Sequence, residues 1–314
     1  MQTTSTLDRS AVPAGNATLI AALLLLDSLH FVFARLLLPH VAPSVSVTLV
    51  LVVSALEVGL FGLATGRLHW RAAREHFGFF LAIGTLIAVS TAVNYEAIAW
   101  IDPGTASLLS QSSVLFSLAF GILWLRDRLS RRQLGGALLA LVGVFVIAFQ
   151  PGDYLRLGAL LVVGSALMYA FHAALTKRYS AEIGLVDFFF FRLLFTAAVL
   201  FAIAVGRGTL AWPSRRAWSL IVLVATVDVV LSRTLYYIAL RRLTMSLHTI
   251  ALTLSPIAAI TWARLLFGTL PTPQQLLGGA AVLTGVLIVS LSAGAARRES
   301  RQHARQPDQG VNQL

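Results

Sequence analysis

Ionisable side chains inside strongly apolar segments are the residues of this chain best placed to do chemistry. Asp27 and His30 lie three residues apart in one apolar stretch, so a helix would present both on one face. Tyr169 and His172 repeat this spacing later in the chain. Histidine is the side chain that most readily gains or loses a proton near neutral pH. The pattern predicts a pair of histidines that bind protons or form hydrogen bonds in one central cavity, although each histidine could simply hydrogen-bond a neighbouring helix.

A second group of polar residues suits recognition of a charged solute. Arg233 is suited to a carboxylate, and Asp27 or Glu96 is suited to an ammonium group. Glu96 and Arg233 could equally pair with each other, because two isolated charges in hydrocarbon cost more than one pair. Pro256 lacks a backbone N–H and is predicted to permit a bend used in gating. The other residues predicted to line the same cavity are Asn94, Gln111, Tyr236 and His248.

Four further charges lie inside apolar stretches without an assigned role, and one of them, Arg264, lies near the end of its stretch. Arg192 is expected to extend toward a lipid headgroup region. Glu57 and Asp228 could be proton sites, but the spacing identifies no partner for either. The run Phe188–Phe191 is expected to form lipid-facing and packing surface rather than a binding feature.

No pattern in the sequence predicts catalysis, a metal site or a cofactor. The chain contains no cysteine, and its seven histidines lack the spacing of a metal-binding helix. There is no glycine-rich phosphate loop, and no nucleophile accompanies a base and an orienting acid in a recognisable motif. We therefore expect a protein that is not an enzyme and uses no cofactor.

The composition identifies the elements that must position these residues. Hydrophobic residues make up 57% of the chain and charged residues 12%, which is typical of a membrane protein with many spans. Ten apolar stretches approach the roughly 20 residues that cross a bilayer. They are residues 17–38, 44–65, 77–100, 104–125, 133–149, 157–177, 186–206, 217–240, 245–268 and 275–293. The predicted fold is an all-α integral membrane protein with ten transmembrane helices.

The chain is also internally duplicated. A shift of 142 residues pairs His30 with His172, Arg35 with Lys177, Tyr95 with Tyr237, Gln133 with Gln275, Gly136 with Gly278, and Gly143-Val144 with Gly285-Val286. Because each half has an odd number of spans, the halves cross the membrane in opposite directions and form inverted repeats. We expect the repeats at 15–150 and 151–294, flanked by disordered segments at 1–14 and 295–314.

The basic residues predict the orientation of the chain. Loops and termini on one side carry 16 lysines and arginines against 5 on the other, so both termini are expected in the cytoplasm. The net charge of +11 is thus explained by topology, without a nucleic-acid partner. The 23 arginines beside a single lysine are typical of a GC-rich genome, which favours a bacterial inner membrane.

The ends of both repeats resemble the EamA domain. The residues that carry the resemblance are Asp127-Arg128, Gln133, Gly136 and Gly143-Val144 in the first copy, and Gln275, Gly278 and Gly285-Val286 in the second. Ser255-Pro256 is also similar to a step found in the family. The second copy has Thr269 in place of the acidic residue, and the first has Val114 in place of the proline.

This resemblance covers about residues 17–293 and implies the drug/metabolite transporter superfamily. Members of that superfamily move small metabolites, often amino acids or related amphipathic compounds, outward and without ATP. The inverted repeats predict alternating access, and the resemblance favours export of a small-molecule substrate across a lipid bilayer. A channel and a non-transporting scaffold are the alternatives. Proton coupling, exchange, downhill diffusion and a homodimer are all left open by the sequence.

Overall fold

Ten spans form the protein. The computed structural model describes residues 14–125, 130–150, 154–180, 182–242 and 245–303. Within these residues, the spans of the first half are Ala14–Asp27 with His30–Leu37, Pro43–Ala64, Phe77–Ala97, Pro103–Ser110 with Ser112–Leu125, and Arg131–Ala148. The spans of the second half are Leu157–Tyr179, Leu185–Gly206, Arg215–Arg242, Met245–Phe267 and Pro273–His303. Nine of them are long and apolar enough to cross a bilayer, and the ninth span supplies the shorter apolar helix Leu252–Phe267.

Minor elements connect the spans. A short helix, Trp70–Glu75, precedes the third span, and the strands Phe149–Gln150 and Tyr154–Leu155 pair antiparallel between the fifth and sixth. The eighth span changes to a π-helix over Ala225–Leu231 between α-helical segments.

The ten spans confirm the predicted all-α fold with ten transmembrane helices.

The two halves follow the same plan, as the 142-residue shift predicts. The seventh span, Leu185–Gly206, begins and ends 142 residues after the second, Pro43–Ala64. Gly66 and Gly208, which follow these two helices, are related by the same shift and both have φ of 63°. Glycine terminates a helix readily in this left-handed conformation because it has no Cβ.

The repeated glutamines begin the fifth and tenth spans by capping them. The Ser130 hydroxyl accepts a hydrogen bond from the backbone N–H of Gln133, whose side chain accepts one from the N–H of Ser130. Thr272 and Gln275 form the same reciprocal pair. Each capping box satisfies two backbone N–H donors at the start of a helix. Helix initiation therefore explains why Gln133 and Gln275 occur at equivalent positions of the two repeats.

Glycines bring the fifth and tenth spans into close contact. A Cβ added to Gly143 would lie 2.5 Å from the carbonyl oxygen of Gly278, and one added to Gly278 would lie 2.8 Å from the carbonyl oxygen of Gly143. Gly136 and Gly285 approach each other in the same reciprocal way. The 142-residue shift exchanges these two contacts, as a two-fold axis between the helices requires.

One turn of the seventh span is buried on all sides. All four residues of Phe188–Phe191 are buried, so the expectation that this run faces lipid is wrong. The Phe191 ring packs against Phe80 and Trp70, and Phe190 fills the space beside Gly59. Four consecutive residues point in all directions around a helix, so their burial places protein on every side of this turn.

The predicted tail is partly helical. The helix of the tenth span continues to His303, although residues 295–314 were expected to be disordered. Alanine, arginine and glutamate are good helix formers, so the helix extends past its apolar segment. Residues 1–13 and 304–314 lie outside the described residues.

Candidate functional site

A cavity of about 590 Å³ lies between the two halves. Its volume falls within the roughly 300–1,000 Å³ of sites for small molecules. The first four spans and the last five contribute side chains to its wall. Of the residues predicted from the sequence, the cavity is lined by Asp27, His30, Asn94, Gln111, Tyr169, Arg233 and Tyr236.

His30 pairs with Asp228 across the cavity. Nδ1 of His30 lies 2.9 Å from Oδ2 of Asp228, whose side chain is only 3% exposed. Asp228 projects from the π-helical segment of the eighth span, and such segments often occur at functional sites. The ring of Tyr95 meets His30 edge-on, with 6.2 Å between ring centres. The structure thus supplies the partner for Asp228 that the spacing could not identify.

Arg233 pairs with Asp27, not with Glu96. Nη1 of Arg233 lies 3.6 Å from Oδ1 of Asp27. Glu96 has an exposed side chain and does not line the cavity. Asn94 and Glu96 are two residues apart, which turns them about 200° from each other on a helix. Since Asn94 faces the cavity, Glu96 must face away, and the proposed Glu96–Arg233 pair does not form.

The second predicted histidine lies behind the cavity wall. His172 is buried and packs against Tyr169, with 5.4 Å between ring centres, but only Tyr169 lines the cavity. The symmetry-related histidines are therefore not a matched pair facing the cavity. The side chain of His248 lies outside the described residues.

Gln111 satisfies a backbone carbonyl that Pro256 leaves without its helical partner. Pro256 has no N–H, so it cannot bond to the carbonyl of Leu252 four residues earlier. Nε2 of Gln111 donates to that carbonyl oxygen at 3.0 Å. Gln111 also lies at the break between the two helices of the fourth span. This contact links the fourth span to the ninth at the proline.

Substituting Gln111→Leu is expected to destabilise the protein by about 1–3 kcal/mol, because the Leu252 carbonyl loses its hydrogen-bond donor within the membrane. Pro256→Ala restores the backbone N–H, so Gln111→Leu should cost much less in that background. Thermal unfolding in detergent of the wild type, both single variants and the double variant measures this coupling. Additive effects would show that the two residues act independently.

Hydroxyl groups alternate with apolar side chains along the remaining wall. Ser90 of the third span and Ser165 of the sixth are buried, and their Oγ atoms lie 2.8 Å apart. Ser107, Ser110, Thr196 and Ser255 add further small polar groups. The Oδ1 atom of Asn94 has no hydrogen-bond partner among the described residues. The wall therefore offers donors and acceptors to a polar solute.

Arg192 is the cavity residue that the sequence interpretation misplaced. It lines the cavity with its side chain only 8% exposed and does not extend toward lipid headgroups. The sequence does carry a signal of this placement: Arg192 lies seven residues after the first residue of a strongly apolar span, far from the nearer end. Glu57 instead accepts a hydrogen bond from Thr226 at 2.8 Å, beside a separate groove.

Ten helices in two inverted repeats around a polar cavity define a membrane transport protein. The profile of the EamA-like transporter family matches residues 15–149 and again residues 156–291. The chain therefore belongs to the EamA-like transporter family.

One curated protein and one solved structure are similar to this chain. The chain is 27% identical over 201 residues to the uncharacterized transporter YdfC of Bacillus subtilis (strain 168). That alignment covers 61% of this chain and 63% of the relative, so the chain spans less than two thirds of that protein. A protein crystal structure has a TM-score of 0.61 at 19% identity, covering 92% of this chain and 99% of the other. The second likeness supports the fold alone.

Proposed function

We propose that this chain exports a small polar or amphipathic metabolite, with an amino-acid-like compound favoured, by alternating access and without ATP. The observation that carries the proposal is the 590 Å³ cavity between the repeats, whose wall holds the His30–Asp228 and Asp27–Arg233 contacts and several hydroxyl groups. Ionisable groups inside a membrane protein are costly and commonly mark a substrate or proton pathway. The cavity is therefore the proposed substrate site, with the bilayer and a small molecule as partners.

The inverted repeats supply a mechanism for alternating access. If the two halves exchange their conformations, an opening on one side of the membrane becomes an opening on the other. The Gln111 contact with the ninth span joins the break in the fourth span to the position where Pro256 removes a backbone hydrogen bond from a continuous helix. We place the gating bend at this position. The excess of basic loop residues favours both termini in the cytoplasm.

Counterflow in proteoliposomes tests the proposal. Vesicles preloaded with members of a panel of amino acids and amphipathic metabolites should accumulate the same labelled compound when they contain the wild-type protein. His30→Ala and Arg233→Ala should reduce the rate at least about tenfold, since each removes a polar contact between two side chains that line the cavity. His40→Ala, in an exposed loop, is the matched control and should match the wild type.

Different failures identify different alternatives. Uptake that equilibrates but never overshoots would indicate a channel, since counterflow requires a carrier. Folded wild-type protein that moves no compound from the panel would contradict the proposed substrate class. A pH gradient imposed on the same vesicles tests proton coupling, and coupling that disappears in His30→Ala would assign it to the pair with Asp228.

A further inference from the structure

Arg192 differs from the other charged residues of the cavity because no acidic side chain of the described residues pairs with it. Arg233 pairs with Asp27, and His30 pairs with Asp228. Within the described residues, the Arg192 guanidinium forms no hydrogen bond and no ion pair, and its Nε is buried without a partner. Its contact is with the face of the Phe189 ring, 5.3 Å from the ring centre.

The packing of the fold does not account for this arginine. Val50 occupies the equivalent position in the second span, 142 residues earlier, and it also lines the cavity. An apolar residue thus fits this position in the first repeat. Burying a cation without a counter-charge is unfavourable, so the arginine lowers stability unless something else binds it. Such local conflicts with stability are typical of functional positions.

Arg192 lines the cavity beside both apolar and polar groups. The wall beside Arg192 includes the apolar side chain of Leu193 and the hydroxyl of Thr196. A guanidinium binds a carboxylate through two parallel hydrogen bonds, and the ring of Phe189 restricts its orientation.

We infer that Arg192 binds a carboxylate of the substrate, and that the transported compound is an organic acid whose apolar part contacts the surrounding aliphatic wall. This inference rests on the proposed transport function and specifies its substrate class. Because Asp27 and Asp228 already have partners, an amino group on the substrate is not required for binding. The carboxylate is required, and it neutralises the buried charge.

Ligand-dependent thermal stabilisation of the purified protein tests the inference without a transport assay. The probes are matched acids and amides of increasing size, from acetate and acetamide to 3-phenylpropanoate and 3-phenylpropanamide. The larger acids should raise the melting temperature of the wild type, and the amides should not. Arg192→Gln should weaken acid binding about 10- to 100-fold, as expected for loss of a charged hydrogen bond. Arg192→Lys should bind with intermediate affinity.

Two controls separate binding from folding. Arg207→Gln, at the exposed end of the same span, should bind acids as the wild type does. Without ligand, Arg192→Gln should melt at the same temperature as the wild type or higher, because the variant removes an unpaired buried charge. A large drop in melting temperature would instead identify Arg192 as a structural residue and overturn the inference.

The remaining outcomes are equally decisive. Equal binding of acids and amides, no binding of any acid, or full acid binding by Arg192→Gln would overturn the carboxylate site. Phenyl phosphate serves as an additional probe. If it binds through Arg192 and the carboxylic acids do not, the site binds a phosphate and the carboxylate inference is wrong. Acid binding through Arg192 without counterflow would contradict the transport proposal and leave the site intact. Counterflow of an uncharged compound at the same rate in the wild type and in Arg192→Gln would support the transport proposal and contradict the carboxylate site.

Discussion

Gly143→Val is expected to prevent the fifth and tenth spans from packing, and to leave little folded protein. The added side chain would meet the carbonyl oxygen of Gly278 at 2.5 Å and the backbone nitrogen of Val282 at 2.7 Å. Backbone atoms of a packed helix cannot rotate away as a flexible side chain can. Even Gly143→Ala should cost about 3 kcal/mol, the upper end of the usual overpacking range. Size-exclusion chromatography and thermal unfolding in detergent measure both effects.

A neighbouring glycine provides the control for this prediction. Gly135 lies in the same helix, and a Cβ added to it would meet nothing within 4 Å. Gly135→Ala should therefore leave stability unchanged or raise it by about 0.5–1 kcal/mol, because alanine favours the helix. Wild-type stability in Gly143→Ala would show that the two helices do not approach as closely as the structure indicates.

Neutralising one partner of the Asp27–Arg233 pair should be more harmful than neutralising both. Arg233→Leu leaves the carboxylate of Asp27 inside the membrane protein without its counter-charge, and Asp27→Leu leaves the guanidinium. Each single change should cost about 3–5 kcal/mol, while the double variant should lose clearly less than the sum. Thermal unfolding of the four proteins gives the coupling energy.

Transport should separate from stability in the same four proteins. The double variant should fold but move substrate at least about tenfold more slowly, since both side chains line the cavity. Glu96→Gln is the comparison, because that carboxylate is exposed and faces away from the cavity. Additive effects of the two leucine substitutions would show that the 3.6 Å separation is not an energetically coupled pair.

The framework of this protein is symmetric, whereas the charges of its cavity are not. Capping boxes, terminal glycines and the contact between the fifth and tenth spans all obey the 142-residue repeat. The acidic and basic residues of the cavity lie on the first, seventh and eighth spans. The symmetric framework therefore allows the two halves to exchange conformations. The charged residues, which are not repeated, form one polar region that could bind a substrate.

The amino-acid sequence by itself determined the spans, the duplication and the inverted arrangement. Span length depends on local hydrophobicity, and the repeat is visible in residues such as Gln133 and Gln275 that perform local capping. The helix of the tenth span continues beyond its apolar segment to His303, where the residues are good helix formers. Local properties predict helices well because helix hydrogen bonds connect residues only four positions apart.

Only the tertiary structure decided which polar residues meet. The pairing of His30 with Asp228 joins residues 198 positions apart, and the contact of Gln111 with Leu252 joins residues 141 apart. Lipid and the packed interior of a membrane protein are both apolar. The pattern of apolar residues therefore does not show which face of a helix points toward the cavity. The rotation of each helix therefore turned Glu96 away from the cavity and brought Arg192 into it.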